Sequence, residues 1–115
     1  MISLRYVILH HTGIADPHFD VMFETMPGSA LTTFRLPAWP PTAPLAATPL
    51  PDHRAAYLDY EGPVSDNRGE VRRVQMGLCH IAHNPAGWVL NFSPNTALRL
   101  DRDATGAWTA AFCHT

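Results

Sequence analysis

The stretch "LRYVILHHTGIADPHFDVMFE", residues 4–24, decides the fold class. "LRYVILH" (4–10) is dense in β-branched and aromatic residues and predicts a first strand. "TGIADP" gathers Gly, Asp and Pro and predicts a turn. "HFDVMFE" (18–24) then alternates, with His18, Asp20, Met22 and Glu24 on one parity and Phe19, Val21 and Phe23 on the other. Successive side chains of a strand point to opposite faces, so this predicts a second strand with its apolar side on the core and a largely polar side turned elsewhere. The two runs pair most simply as an antiparallel hairpin.

Further along, "LTTFRLP" (31–37) predicts a third short strand. Residues 37–51, "PAWPPTAPLAATPLP", are rich in proline. Nothing before them is long enough to form a domain alone, so they read as an ordered extended loop whose two flanks belong to one fold. "HRAAYLDYEGPV" (53–64) is partly strand up to its Gly-Pro turn, and "DHRAAY" could equally begin as a helical turn. "SDNRG" is a further turn, "EVRRVQMGLCHIA" one or two strands, and "NPAG" a break before the strand "WVLNF". "ALRLDRD-ATG-AWTAAF" forms a final hairpin. No helical period lasts beyond two turns, and no internal repeat or Gly-rich phosphate loop is present. The expectation is a mainly β chain, one domain over residues 1–115: a small β-barrel or sandwich with a long Pro-rich loop.

Composition agrees. Of 115 residues, 46% are hydrophobic and 16% charged, which suits one globular core and excludes a disordered chain. A net charge of −2 gives no global basic footprint for nucleic acid, so any such contact must be local. "RGEVRR" (68–73) is the only basic cluster. Cys79 and Cys113 form no CxxC pair and read as reduced thiols. Cys79, His80 and His83 fall short of a zinc set for want of a second ligand pair. Trp39, Trp88 and Trp108 suit core or rim packing, with stacking on bases as the sharper alternative. The N-terminus reads as a strand rather than a signal peptide, and no apolar run reaches membrane-spanning length. A cytoplasmic monomer without a membrane partner is the expectation.

The chemistry concentrates at the first turn. His18 and Asp20 sit two apart on one strand face, so both reach one point. His10 or His11, ending the preceding strand, reaches the same point across the turn. Two imidazoles and a carboxylate are a common facial set for Mn²⁺, Fe²⁺ or Zn²⁺ that leaves positions open for water or substrate. A surface His–Asp pair near a turn has the same spacing. His53 and Tyr57, four apart, share one side of either a strand or a helical turn and could supply a proton donor and a phenol. A capping or turn histidine is the alternative there. Asp59 and Glu61 extend that face.

Together these pieces resemble the 3′-phosphoesterase domain of bacterial DNA ligase D and its small free-standing relatives. That family's pattern is HH-x4-H-Y-D-F-R-L-E, a W-x-V-P strand, then D-H-x-x-x-Y-x-D-F-E-G. Here the pieces read "HHTGIADPHFDVMFE", "LTTFRLP" and "DHRAAYLDYEG", in the same order over roughly residues 5–75. The resemblance implies a small β-barrel with its site on a concave polar face. It implies a divalent metal, most often Mn²⁺, held by His18, Asp20 and one of the doublet; His11 needs the shorter insertion and is preferred to His10. It further implies that His53 and Tyr57 contact a scissile phosphate, with Glu24 supporting the metal face. The implied reaction exposes a 3′-OH by removing a 3′-phosphate or 3′-ribonucleotide from a nucleic-acid end, or hydrolyses another phosphate ester, in the company of DNA repair proteins. Where the family places an arginine on the metal face, this chain has Met22. Arg35, Arg54 and Arg68 are the candidates to replace its charge on the substrate, and Asp59 completes the expected substrate contacts.

Overall fold

A computed structural model describes residues 3–114. Nine strands follow one another: β1 (Ser3–Thr12), β2 (His18–Glu24), β3 (Leu31–Leu36), β4 (Leu45–His53), β5 (Gly62–Pro63), β6 (Glu70–Asn84), β7 (Gly87–Ser93), β8 (Thr96–Arg102) and β9 (Trp108–His114). One 3₁₀ turn, Ala55–Leu58, is the only helical element among the described residues. Eight strands close in the order β1-β2-β3-β4-β9-β8-β7-β6, with β6 returning to pair β1. Every pairing is antiparallel, and the two-residue β5 adds to β6 as a flap. The expected β-barrel is therefore present. Closure satisfies the backbone groups that an open sheet would leave bare at its edges.

All eight barrel strands contribute to one buried cluster, which includes Tyr6, Ile8, Val21, Phe23, Phe34, Leu36, Ala47, Cys79, Leu90, Leu98, Leu100 and Ala110. This is the barrel interior. Phe23 is fully buried and meets Phe34 and Trp88 at ring-centroid separations of 6.5 and 5.3 Å. Trp39, Trp88 and Trp108 all pack against the same cluster, so the packing reading of the tryptophans holds. A bulge in the β1–β6 ladder, between Ile8 and Leu9, turns Gln75 inward. There Gln75 donates to the Tyr6 hydroxyl (2.9 Å) and accepts from the Trp39 indole N–H (3.3 Å). Burial raises the Tyr6 phenol above its ordinary pKa. Cys79 and Cys113 are free thiols, and burial pushes Cys79 up to about 12.

One expectation needs correction. The Pro-rich segment is not a loop throughout, because its second half is β4. β4 pairs β9 through Leu45–Ala47 and β3 from Thr48 onward, so residues 48–53 have a partner on one side only. Pro49 and Pro51 lie in that single-sided part, where a missing N–H costs no ladder bond on the open side. The polar parity of β2 is enclosed: His18, Asp20, Met22 and Glu24 are all buried. A second apolar cluster of Val7, Leu9, Met22, Leu31, Leu58 and Val71 lies on that face, with Tyr57 and Val64 packed against it. Leu58, Tyr57 and Val64 belong to the segment after β4, which lies over the outside of the β1–β2 sheet as a lid. Of the two readings of residues 53–64, the helical turn holds at 55–58, and strand is confined to His53, the last residue of β4, and to Gly62–Pro63.

Candidate metal centre

The register of the first hairpin builds the site. His11 pairs directly with His18, and Leu9 with Asp20. Alternation therefore projects His11, His18 and Asp20 from one face of adjacent strands. Their ligand atoms all lie within 4.8 Å of one another, and they form the only such group among the described residues. The doublet is resolved by parity. His10 faces the other way and stacks on Phe19, with ring centroids 4.2 Å apart and planes within 8°.

Backbone carbonyls orient both imidazoles. His18 Nδ1 lies 2.8 Å from the Asp16 carbonyl, and His11 Nε2 lies 2.7 Å from the Arg68 carbonyl. A carbonyl only accepts, so each of those nitrogens carries the proton, and this assignment comes from the partner rather than from a visible hydrogen. The other nitrogen of a neutral ring is then left with its lone pair. For His18 that atom is Nε2, which is buried and has no hydrogen-bond partner. It stands 3.5 Å from Asp20 Oδ2. Two lone pairs facing each other in a buried site repel unless a proton or a cation lies between them. An imidazole whose far nitrogen is held by a carbonyl is also the usual arrangement of a metal-ligating histidine. Asp20 is nearly closed off from solvent, and its Oδ1 lies 3.5 Å from Arg35 Nε on the paired position of β3. The donor set fits a divalent cation of the Mn²⁺, Fe²⁺ or Zn²⁺ class. Ligand atoms around such an ion stand about 3 Å apart for bonds of about 2.1 Å, so modest side-chain rotation would close the group.

The grip on His11 depends on the "SDNRG" turn. Asp66 and Asn67 adopt positive φ values of 61° and 57°, and Gly69 follows at 77°. At Gly69 a Cβ would run into the Thr12 carbonyl oxygen, so only glycine lets the loop lie against the end of β1. Sequence reasoning identified the turn but not the carbonyls of Asp16 and Arg68. A backbone acceptor has no residue-type signature.

The other expected site residues fall into separate places. Glu24 spends both carboxylate oxygens on backbone, accepting from Arg5 N (2.7 Å) and Gly28 N (2.9 Å), which ties the β2–β3 turn to β1. Met22 is buried in the second apolar cluster, so no cation occupies its position. Among the described residues, Arg35 is the arginine whose guanidinium meets the trio, at Asp20. The Arg68 side chain bonds back to Ser65 through Nε (2.9 Å) and Nη2 (3.1 Å), and its carbonyl, not its charge, serves the site. His53 Nδ1 meets the Pro51 carbonyl at 2.9 Å, and its ring meets Tyr57 edge-on at 5.6 Å. Those two are brought together beside the second apolar cluster, whose Leu9 and Val71 are the cross-strand partners of Asp20 and His11. Arg54 and Asp59 lie on a separate cleft together with Tyr57, and Asp59 is ion-paired with Arg5 at 2.7 Å. Cys79, His80 and His83 do not converge: Cys79 is in the interior, and His83 stacks on Trp88 at 3.9 Å.

No protein-family model matches this chain, and no curated protein matches it. No helix among the described residues is long and apolar enough to cross a membrane.

Proposed function

We propose that the protein is a divalent-metal-dependent phosphoesterase acting on a 3′-phosphate or 3′-ribonucleotide end of nucleic acid, as its resemblance to the DNA ligase D 3′-phosphoesterase domain implies. The observation that carries this is the orphaned, buried His18 Nε2 facing Asp20, with His11 on the third side. A proton on Nε2 would also relieve that contact, but it would leave the oriented His11 without a purpose. His11, His18 and Asp20 would hold the ion, most fittingly Mn²⁺ for a mixed nitrogen and oxygen set. Such an ion polarises a phosphoryl oxygen and lowers the pKa of bound water.

The chain's own residues supply the remaining needs. Arg35, half-exposed beside Asp20, can receive a phosphate oxygen and carry the charge that Met22 does not. The Asp16 and Arg68 carbonyls hold the imidazole tautomers, so the lone-pair nitrogens are set for an ion and only modest side-chain rotation is needed. Tyr57 and His53 stand together as a ring pair, and on this reading their phenol and imidazole would hydrogen-bond the ester.

A second reading is a metal- and phosphate-binding module of the same fold without turnover, and the burial of Met22 in an apolar cluster favours it. Phosphate release from a 3′-phosphorylated primer–template with Mn²⁺, measured beside Asp20→Ala, separates the two. Release by the wild type that is lost in the variant supports the esterase. Bound Mn²⁺ with no release above the variant leaves the binding module.

A further inference from the structure

Beside the lid lies an open cleft of about 400 Å³, a size within the range of small-molecule sites. Its lining includes Arg54, Tyr57, Asp59, Tyr60, Val64 and Ser65, and none of the trio's side chains. Two tyrosine rings shape it. Tyr57 and Tyr60 stand 6.1 Å apart between centroids and 87° apart in plane, which makes a right-angled aromatic corner. Both walls are fixed. The Tyr60 hydroxyl donates to the Pro63 carbonyl, and Tyr57 packs on the second apolar cluster and against His53. A flat ring entering this corner can lie face to face with one tyrosine and edge-on to the other, both favourable geometries.

The polar groups around the corner are complementary to one kind of ligand. All eight basic residues of the chain are arginines. Five of them pair with a side chain or backbone oxygen, and Arg102 lies over the Trp108 ring. Arg54 and Arg72 make no such contact with their guanidinium groups among the described residues, and of these two it is Arg54 that opens onto the cleft. Asp59 gives one carboxylate oxygen to Arg5, which leaves the other as an acceptor for a ligand N–H. A free cation, an aromatic corner and a spare carboxylate acceptor together suit a planar heterocycle that carries an exocyclic amine and an anionic group.

We propose that this cleft binds a nucleoside monophosphate, with the base in the Tyr57–Tyr60 corner, the base amine on Asp59 and the phosphate on Arg54. Its role in catalysis rests on the phosphoesterase reading above: Arg54 then takes the phosphate on the 5′ side of the terminal nucleotide, leaving the 3′ phosphate for the trio. The binding itself does not depend on that reading. The two sites share one loop, since Val64 and Ser65 line the cleft while the Arg68 carbonyl holds His11.

The test is calorimetric titration of the whole chain with AMP, adenosine and inorganic phosphate, in EDTA so that no metal contributes. The expected result is saturable 1:1 binding of AMP, about tenfold tighter than adenosine and tighter than phosphate. Tyr60→Ala should weaken AMP at least tenfold, and Tyr60→Phe, which keeps the ring, should restore it. Arg54→Gln should bring AMP to the affinity of adenosine, and Asp20→Asn should leave AMP binding unchanged. AMP no tighter than phosphate, or equal affinity in wild type and Tyr60→Ala, overturns the cleft. Loss of AMP binding in Asp20→Asn overturns it too, by placing the nucleotide at the trio. AMP binding without Mn²⁺-dependent phosphate release refutes the esterase and leaves the cleft standing; the reverse pair of results refutes only the cleft.

Discussion

If the trio holds a cation, metal must stabilise the fold, and Asp20→Asn must abolish that gain. The substitution keeps the side-chain volume, removes the charge and puts an amide NH₂ in place of one carboxylate oxygen. Without metal its effect should be small, because the ion-pair contact of Asp20 with Arg35 is long, at 3.5 Å. Arg35 is also substantially exposed, so we expect a change within about 1 kcal/mol either way. With metal the two proteins should part. A ligand at a hundredfold its dissociation constant adds about 2.7 kcal/mol when it binds only the folded state. Unfolding entropy near 60 °C is about 2.1 cal/mol/K per residue, which for 115 residues gives about 0.24 kcal/mol/K. The ratio predicts a rise in Tm of about 11 °C for the wild type. The assay is thermal melting followed by circular dichroism, with EDTA and then with MnCl₂ at a hundredfold the Kd measured by calorimetry. Asp20→Asn at the same MnCl₂ concentration should shift by under about 2 °C, since the remaining imidazoles bind Mn²⁺ weakly. Equal shifts in both proteins, or no shift in the wild type, would refute the reasoning that the orphaned Nε2 marks a metal centre.

Other consequences are open to direct measurement. Phe23→Ala removes a fully buried ring packed on Phe34 and Trp88, and should cost about 3–5 kcal/mol in urea denaturation. Gly69→Ala meets both a positive φ and the Thr12 carbonyl; it should destabilise by about 1–3 kcal/mol and weaken Mn²⁺ binding, because the Arg68 carbonyl is displaced from His11. A thiol reagent should titrate exposed Cys113 in the native protein and buried Cys79 only after unfolding. The Cys79 thiol is raised from 9.0 to about 12 in the fold, so the unfolded chain releases that proton first as pH rises. Its contribution to stability is fully present below pH 9 and is lost as pH climbs towards 12. Alkaline denaturation should therefore be shallower in Cys79→Ala than in the wild type over that window.

Much of the site was legible because strand periodicity is local. The alternation in "HFDVMFE" places His18 and Asp20 on one face whatever the rest of the chain does, and the short turn brings a histidine of the doublet to them. Which histidine required the register. Only the pairing of His11 with His18 shows that His10 belongs to the opposite parity and stacks on Phe19. The prolines concealed β4, since composition alone cannot reveal that residues 48–53 pair on one side only. The surroundings of the polar face of β2 were hidden for a related reason. Nothing near it in sequence shows that residues 57, 58 and 64 fold back to pack with Met22 on that face.

The sequence by itself thus determined the β class, the first hairpin and the residue types that can meet at its turn, because those depend on spacing along one or two strands. The tertiary structure alone decided the closure of β6 onto β1 and the lid over the hairpin. It likewise decided the two carbonyls that set the imidazole tautomers. Each of these joins groups distant in sequence or uses backbone atoms common to every residue. No local pattern encodes them.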